Sequence, residues 1–396
     1  MRSQSATGYA LLGAGLIAVA YGLARFAFGL FVPPIREALG LSPDVVGVIG
    51  AMAFVSFSLS SLVAAGVADR LGARRTAVLA SAFGVTGLGL ISQAVDPVTL
   101  GTGVFACGIC TALMMPAMSA GADAAVHPRL HGRVNAIMNA GTSAGVAVSV
   151  PAVFLLADAW RAAYLSFALL AAVGLAVAWR CVPAASSSHE GEVTVKPPIT
   201  PSQRSALIRL VIFGFGMGMV SAAYWVFAPD LAVDLGGMAA GQTGLLWLTV
   251  GVVGLGGGLA GDMIDRYGAA ATQGGALLML AVGLALLAAA PGNLALALGS
   301  AGLFGLAYMT LTGVYLVTGI RLLPARPSLG PVLPFLSIAI GQAVGSSAVG
   351  LAVAKFGYTA SFLAFALLGV AIAASSRLYP GEEPAGDLVS PRAAGQ

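Results

Sequence analysis

Arg25 is the first residue in this chain placed where a polar side chain could do chemistry. It stands in AVAYGLARFAFGLFVPP, a stretch that begins at Ala18 inside an apolar run. A guanidinium keeps its proton in proteins, so it must either reach a polar surface or face something inside. Its helical neighbours at −4, −3, +3 and +4 are Tyr21, Gly22, Phe28 and Gly29, small and aromatic residues that suit a face turned toward a cavity. Held there, the guanidinium would grip an anionic group through paired, charge-assisted hydrogen bonds. No Asp or Glu falls near the middle of any apolar run. A buried carboxylate that trades a proton for a cationic cargo is therefore not read.

Three further spacings resemble chemical motifs. Cys107-x-x-Cys110 in CGIC has a redox or metal spacing, but thiols inside an apolar helix without a basic neighbour stay protonated and serve packing. Gly256-x-Gly258-x-x-Gly261 matches a dinucleotide fingerprint, yet no strand precedes it. Gly254 with Gly258, and Gly257 with Gly261, instead predict small-residue faces for close helix approach. His127 and His131 lie four apart in HPRLHGR, where Pro128 and Gly132 break the helix that would align them, so a loop is expected. No catalytic constellation and no cofactor site are read, and an enzyme is not expected.

The elements that position Arg25 follow from composition. Of 396 residues, 58% are hydrophobic and 9% charged, against roughly 25% charged in a soluble domain. So few charges cannot hydrate a globule of this size, and the apolar surface must face lipid. The net charge of +4 is spread over loops, which gives no basic face for nucleic acid. Spans of about 20 helical residues fall at 8–32, 45–67, 76–95, 98–124, 134–157, 162–182, 206–228, 241–263, 270–290, 294–319, 329–354 and 357–378. The first run is long enough to be kept as a helix rather than removed as a signal. PAASSSHEGEVTVKPPITPSQRS reads as a solvated linker. The expected organisation is a bundle at 1–182, a linker at 183–205, a second bundle at 206–379 and a polar tail at 380–396.

Orientation follows from basic residues. With twelve spans, 15 of the 19 Lys and Arg fall on the side that carries both termini. Arg36, Arg161 and Lys355 fall on the other, and Arg25 lies within a span. The positive-inside rule then puts both termini in the cytoplasm of a protein in the cell membrane. The halves also repeat. GVADRLG matches DMIDRYG, with Asp69 and Asp265 196 positions apart, and Pro34 matches Pro229 at 195. Two landmarks with nearly one offset indicate a six-plus-six duplication, which places a binding site at the interface near the midplane.

AGVADRLGARR resembles the loop signature between the second and third helices of the major facilitator superfamily, and the resemblance covers nearly the whole chain. The signature positions fall on Asp69, Arg70, Gly72, Arg74 and Arg75, while Ala65 and Ala73 depart from the usual residues. The second copy keeps Gly261, Asp265, Arg266 and Gly268 without the basic cluster. The resemblance implies an all-helical fold of 12 transmembrane helices in two six-helix bundles. It implies a monomer that moves a small molecule by alternating access, with a proton as the candidate coupling ion. These loop charges would form a latch at the cytoplasmic side, joined by Asp123.

By the same resemblance spans 1, 4, 7 and 10 line the cavity. Their candidate contacts for substrate are Arg25 and Tyr21, Met115, Tyr224 and Trp225, and Tyr308 and Thr312, with Gln342 in span 11. Two readings stay open. Arg25 and the missing central acids favour a small organic anion, whereas the aromatic and Met content suits proton-coupled efflux of drugs or hydrophobic metabolites. A membrane sensor or scaffold without transport is the reading from another class.

Overall fold

The computed structural model describes residues 5–156, 159–184, 198–324 and 329–380. Among these residues every regular element is a helix. The helices are α1 (Ala6–Leu39), then Pro43–Ser92, which breaks at Gly72 into α2 (43–71) and α3 (73–92). There follow α4 (Pro97–Ala125), α5 (Arg133–Leu156), α6 (Trp160–Cys181), α7 (Pro201–Asp234), α8 (Ala240–Tyr267), α9 (Ala269–Ala289) and α10 (Leu294–Leu322). α11 (Leu329–Phe356) and α12 (Tyr358–Ala374) complete the chain. Among the described residues ten helices are long and apolar enough to span a bilayer, one of them being α2 and α3 together. At 17 residues α12 still rises about 25 Å, close to a hydrocarbon core of about 30 Å.

The helix ends follow local sequence. Asp96 caps α4, its carboxylate accepting from the N–H groups of Val98 and Thr99 at 2.8 and 2.9 Å, with Pro97 at the first helical position where no N–H is needed. The Thr99 N–H and hydroxyl hold that carboxyl below its ordinary range. Thr200 and Gln203 form a reciprocal cap on α7, which therefore begins at 201, inside the stretch expected as linker. Most of that linker, at 185–197, and the tail from 381 lie outside the described residues.

The duplication is visible in geometry. Gly72 and Gly268 both have positive φ, 77° and 82°, a conformation open to glycine at little cost. Each follows an Asp-Arg-x and turns a span into the next. Four residues on, the Thr76 and Thr272 hydroxyls donate back to the Gly72 and Gly268 carbonyls at 2.9 and 2.8 Å. All these pairs are 196 positions apart. A second correspondence is in packing. α5 crosses α1 on Gly141 and Gly145, whose added Cβ atoms would strike the backbone at Ala14 and Ala18. α11 crosses α7 on Gly341 and Gly345, which would strike Phe215 and Met219.

Without a hydrophobic drive between helices in lipid, such close approach supplies van der Waals contact. Gly145→Val should therefore lower stability by about 1–3 kcal/mol or more, and Gly345→Val similarly. Gly258→Ala, with open space around it, should be silent in a thermal unfolding scan of the same preparation.

Gly258 also marks a correction. Gly254 and Gly257 approach Met309 of α10, while Gly258 and Gly261 meet nothing within 4 Å. The expected faces of residues four apart do not form because 255–259 is a 3₁₀ stretch, in which residues three apart eclipse.

Candidate functional site

α1 carries Arg25 in an unusual backbone. Residues Ala18–Phe26 form a π-helix, and the Ala27 N–H reaches the Gly22 carbonyl five residues back. The wider turn alters the phase of the turns after it, and Arg25 and Phe26 both meet residues of the other half. Gly22 sits against the backbone of Gly145 on one side of α1, and Gly29 against the carbonyl of Trp225 on α7. A Cβ at either position would hold the helices apart.

Arg25 does not turn to lipid. It is 8% exposed, and its amine Nη2 donates to Gln342 Oε1 of α11 at 3.0 Å. Gln342 is fully buried and passes its own amide N–H to the Tyr308 hydroxyl of α10 at 3.2 Å. The guanidinium carbon lies 4.3 Å from the Phe57 ring centroid, 5.0 Å from Phe54 and 5.3 Å from Phe26. These rings offer their negative faces. Arg25 Nε finds no acceptor. The ionisable groups that act on the charge are the phenols of Tyr21 and Tyr308. A buried cation held by neutral partners alone forgoes several kcal/mol of solvation. The arrangement favours any anion that can reach it.

An aromatic layer surrounds the group. Trp225 stacks on Phe26 at 4.2 Å, crossing between the halves, and meets the edges of Tyr308 at 5.1 Å and Trp247 at 5.8 Å. The Trp247 indole N–H donates to the Phe26 carbonyl at 3.3 Å. Of the remaining sequence candidates, Tyr21 is half-buried against a small cluster of Phe57, Ala112 and Ala339. Met115 packs at the edge of the first half's core. Half-buried Thr312 donates to the Met309 carbonyl of its own helix at 2.9 Å. Tyr224 is a correction. Consecutive residues of an α-helix point about 100° apart, so with Trp225 at the interface Tyr224 turns into its own half. It is fully buried there, stacks on Phe304 at 4.0 Å and meets Ser300 at 3.3 Å.

The alternating directions of twelve helices put the start of α1 and the end of α12 at one end of the bundle, the near end. At the far end the two halves are bolted together. Arg36 of α1 donates to Asp230 of α7 at 2.6 Å and to the Tyr358 hydroxyl of α12. Tyr358 in turn donates to Asp230, and Asp234 stands 3.8 Å from the second amine of Arg36. Ser346 of α11 donates to the Gly47 carbonyl of α2 at 2.8 Å. A cleft of about 540 Å³ opens beside this lock between α1, α5, α7 and α8.

Near-end charges pair differently. Asp123 meets His131 at 3.3 Å, and Asp265 meets Arg321 at 2.9 Å. Arg74 donates to the Val182 carbonyl at 2.8 Å, and Arg266 lies 5.3 Å from the Tyr267 ring. Asp69 and Arg70 are exposed beside buried Gly72. Each of these partnerships stays within one half. Asp123, expected to join a relay with the loop between α2 and α3, meets the His131 imidazole, two residues before α5, within its own half.

Sequence reasoning missed Phe54 and Phe57, Trp247, and the trio Arg36, Asp230 and Tyr358. A signal for the trio was present. The duplicated stretches PPIREALGL and APDLAVDLGG place Arg36 two residues after the matched Pro34 and Asp230 one residue after the matched Pro229. Opposite charges at equivalent ends of symmetry-related helices are positioned to meet at the pseudo-two-fold axis.

A family model described as Major Facilitator Superfamily matches residues 14–328. Among solved structures, a mutant of the nucleoside transporter NupG aligns with a TM-score of 0.76 at 13% identity, covering 94% of this chain and 99% of that one. A bacterial homolog of the human lysosomal transporter Spinster, inward-facing and occupied, gives 0.76 at 16% identity, covering 94% and 96%. A POT family transporter in complex with 5-aminolevulinic acid gives 0.76 at 14% identity, covering 94% and 95%. No curated protein matches the sequence. At such identities these likenesses concern the fold.

Proposed function

The chain belongs to the major facilitator superfamily, and on that premise we propose that it carries small organic anions across the cell membrane by alternating access, the substrate binding at Arg25. The carrying observation is that buried guanidinium, at the interface of the halves, with a neutral acceptor and an unused N–H. Arg25 on α1 and Gln342 on α11 belong to opposite halves, so a ligand that displaces Gln342 also loosens the contact between them. The halves, 1–182 and 206–379, then act as the two rocking bodies, in a monomer.

The excess of basic residues at the near end supports a cytoplasmic location for both termini. In that orientation the Arg36–Asp230–Tyr358 lock faces outward and the conformation is closed to the outside. Asp69, Arg70, Arg74, Asp123, Asp265 and Arg266 would regroup when the near end shuts. A second reading, proton-coupled efflux of hydrophobic compounds, draws on the aromatic layer of Phe26, Trp225 and Tyr308.

Counterflow in proteoliposomes separates the two, run with and without an imposed pH gradient. An anion carrier exchanges labelled carboxylates, and Arg25→Gln lowers that exchange by at least about 30-fold, as expected for removing one partner of a buried charge interaction of 2–5 kcal/mol. Movement of ethidium in wild type, undiminished by Arg25→Gln, with no carboxylate exchange, would overturn the anion reading in favour of the second.

A further inference from the structure

Resting on the anion reading, we infer that the substrate is an aromatic monocarboxylate, whose carboxylate replaces Gln342 on Arg25 and whose ring enters the layer of Phe26, Trp225 and Tyr308. The edge of the guanidinium selects the binding group. Nε–H and one Nη2–H lie side by side and match the two oxygens of a carboxylate. Gln342 fills only the Nη2 position, at 3.0 Å, and Nε is left without an acceptor. Gln342 does not fill both, because its one oxygen lies on Nη2 and its nitrogen is a donor, here committed to Tyr308. A carboxylate fills both. Tyr308 can then release Gln342 and donate its own hydroxyl to the incoming oxygen.

Charge sets the valence. Arg25 is acted on by two phenols and no carboxylate, so the site holds one net positive charge. One negative charge neutralises it. A second carboxylate would be buried without a counter-charge, which is costly.

The rings set the body of the ligand. Phe57 and Phe54 lie against the guanidinium, which leaves its edge as the approach. The space beside Arg25 toward Phe54 and Gly50 is about 10 Å³, room for one water, and Phe26, Trp225 and Tyr308 pack on each other. A ligand must part these rings. An aromatic ligand restores ring-to-ring contact for each one broken, with stacked or edge-on geometry, whereas a short alkyl chain restores only part of it. Tyr21, half-buried on the near-end side of Arg25, stands where the ring would arrive.

The test uses the purified full-length protein with benzoate, acetate, succinate and benzylamine, read by thermal shift and by tryptophan fluorescence, since Trp225 lies in the layer. Benzoate should stabilise the protein and alter its fluorescence at concentrations at least tenfold below those of acetate or succinate, and benzylamine should do neither. Phe26→Leu should weaken benzoate by a larger factor than acetate. Arg25→Lys, which keeps the charge without the two-toothed edge, should weaken both carboxylates about tenfold while unfolding normally. Acetate binding as tightly as benzoate would overturn the aromatic inference and leave the anion reading standing. Succinate binding as tightly as benzoate would overturn the single-charge inference. Benzylamine binding like benzoate, or no response to any carboxylate, would overturn both the inference and the reading beneath it.

Discussion

Gln342→Glu should abolish anion binding while leaving the protein at least as stable as wild type. The new carboxylate would sit where the amide oxygen already lies 3.0 Å from Arg25 and would occupy both donors of the guanidinium edge. A tethered carboxylate acts at an effective concentration of millimolar or higher. In a buried setting its pairing with Arg25 is a strong, charge-assisted one. An external anion would have to displace it, and its affinity should fall by about 100-fold or more. The same variant restores neutrality to a buried site, so the thermal midpoint should hold or rise. Equilibrium binding and a thermal scan on one preparation read both signs together. A Gln342→Glu protein that binds and transports anions as wild type does would remove Arg25 from the substrate path.

The second large effect lies at the far end. Asp230 is 3% exposed and is shared by Arg36 and Tyr358, joining α7 to α1 and α12. Asp230→Asn keeps the shape but removes the charge that holds Arg36. The Arg36 side chain is 25% exposed, so water screens part of the interaction. A loss of about 1–2 kcal/mol is expected, a population shift of roughly 5- to 30-fold away from the far-end-closed state. Tyr358→Phe should act in the same direction, and the double variant should fall short of the sum because the three groups form one network. Labelling of a cysteine introduced into the far-end cleft reports the shift. Unchanged labelling in all three variants would show that the lock does not hold the face shut.

Much of the fold was legible because lipid demands it. Long apolar runs, glycine turns after Asp69-Arg70 and Asp265-Arg266, and one repeated offset suffice to place twelve helices. The site was legible only where a polar residue stood out. Arg25 and Gln342 did, and they bond to each other. Phe54 and Phe57 did not, because in a membrane protein a helix face toward lipid and one toward the interior are both apolar, and periodicity cannot tell them apart. Tyr224 and Trp225 show the same limit at single-residue scale. The π-helix of α1 has no marker in its residues, and the 3₁₀ stretch of α8 falls on three consecutive glycines, Gly256 to Gly258. Arg36 and Asp230 meet across 194 positions, a pairing visible only once the halves are set face to face.

Two halves that exchange closure between the far and near ends around Arg25 are the centre of this mechanism. Distances between spin labels measure that exchange most directly, with Ala38 and Leu235 labelled at the far end and Leu71 and Tyr267 at the near end in otherwise cysteine-free protein. In the Asp230→Asn background, and in wild type with saturating benzoate, a population with a longer far-end distance and a shorter near-end one is expected. Arg25→Gln should remove the response to benzoate alone. Two ends that keep one distance throughout, or that lengthen together, would contradict the mechanism.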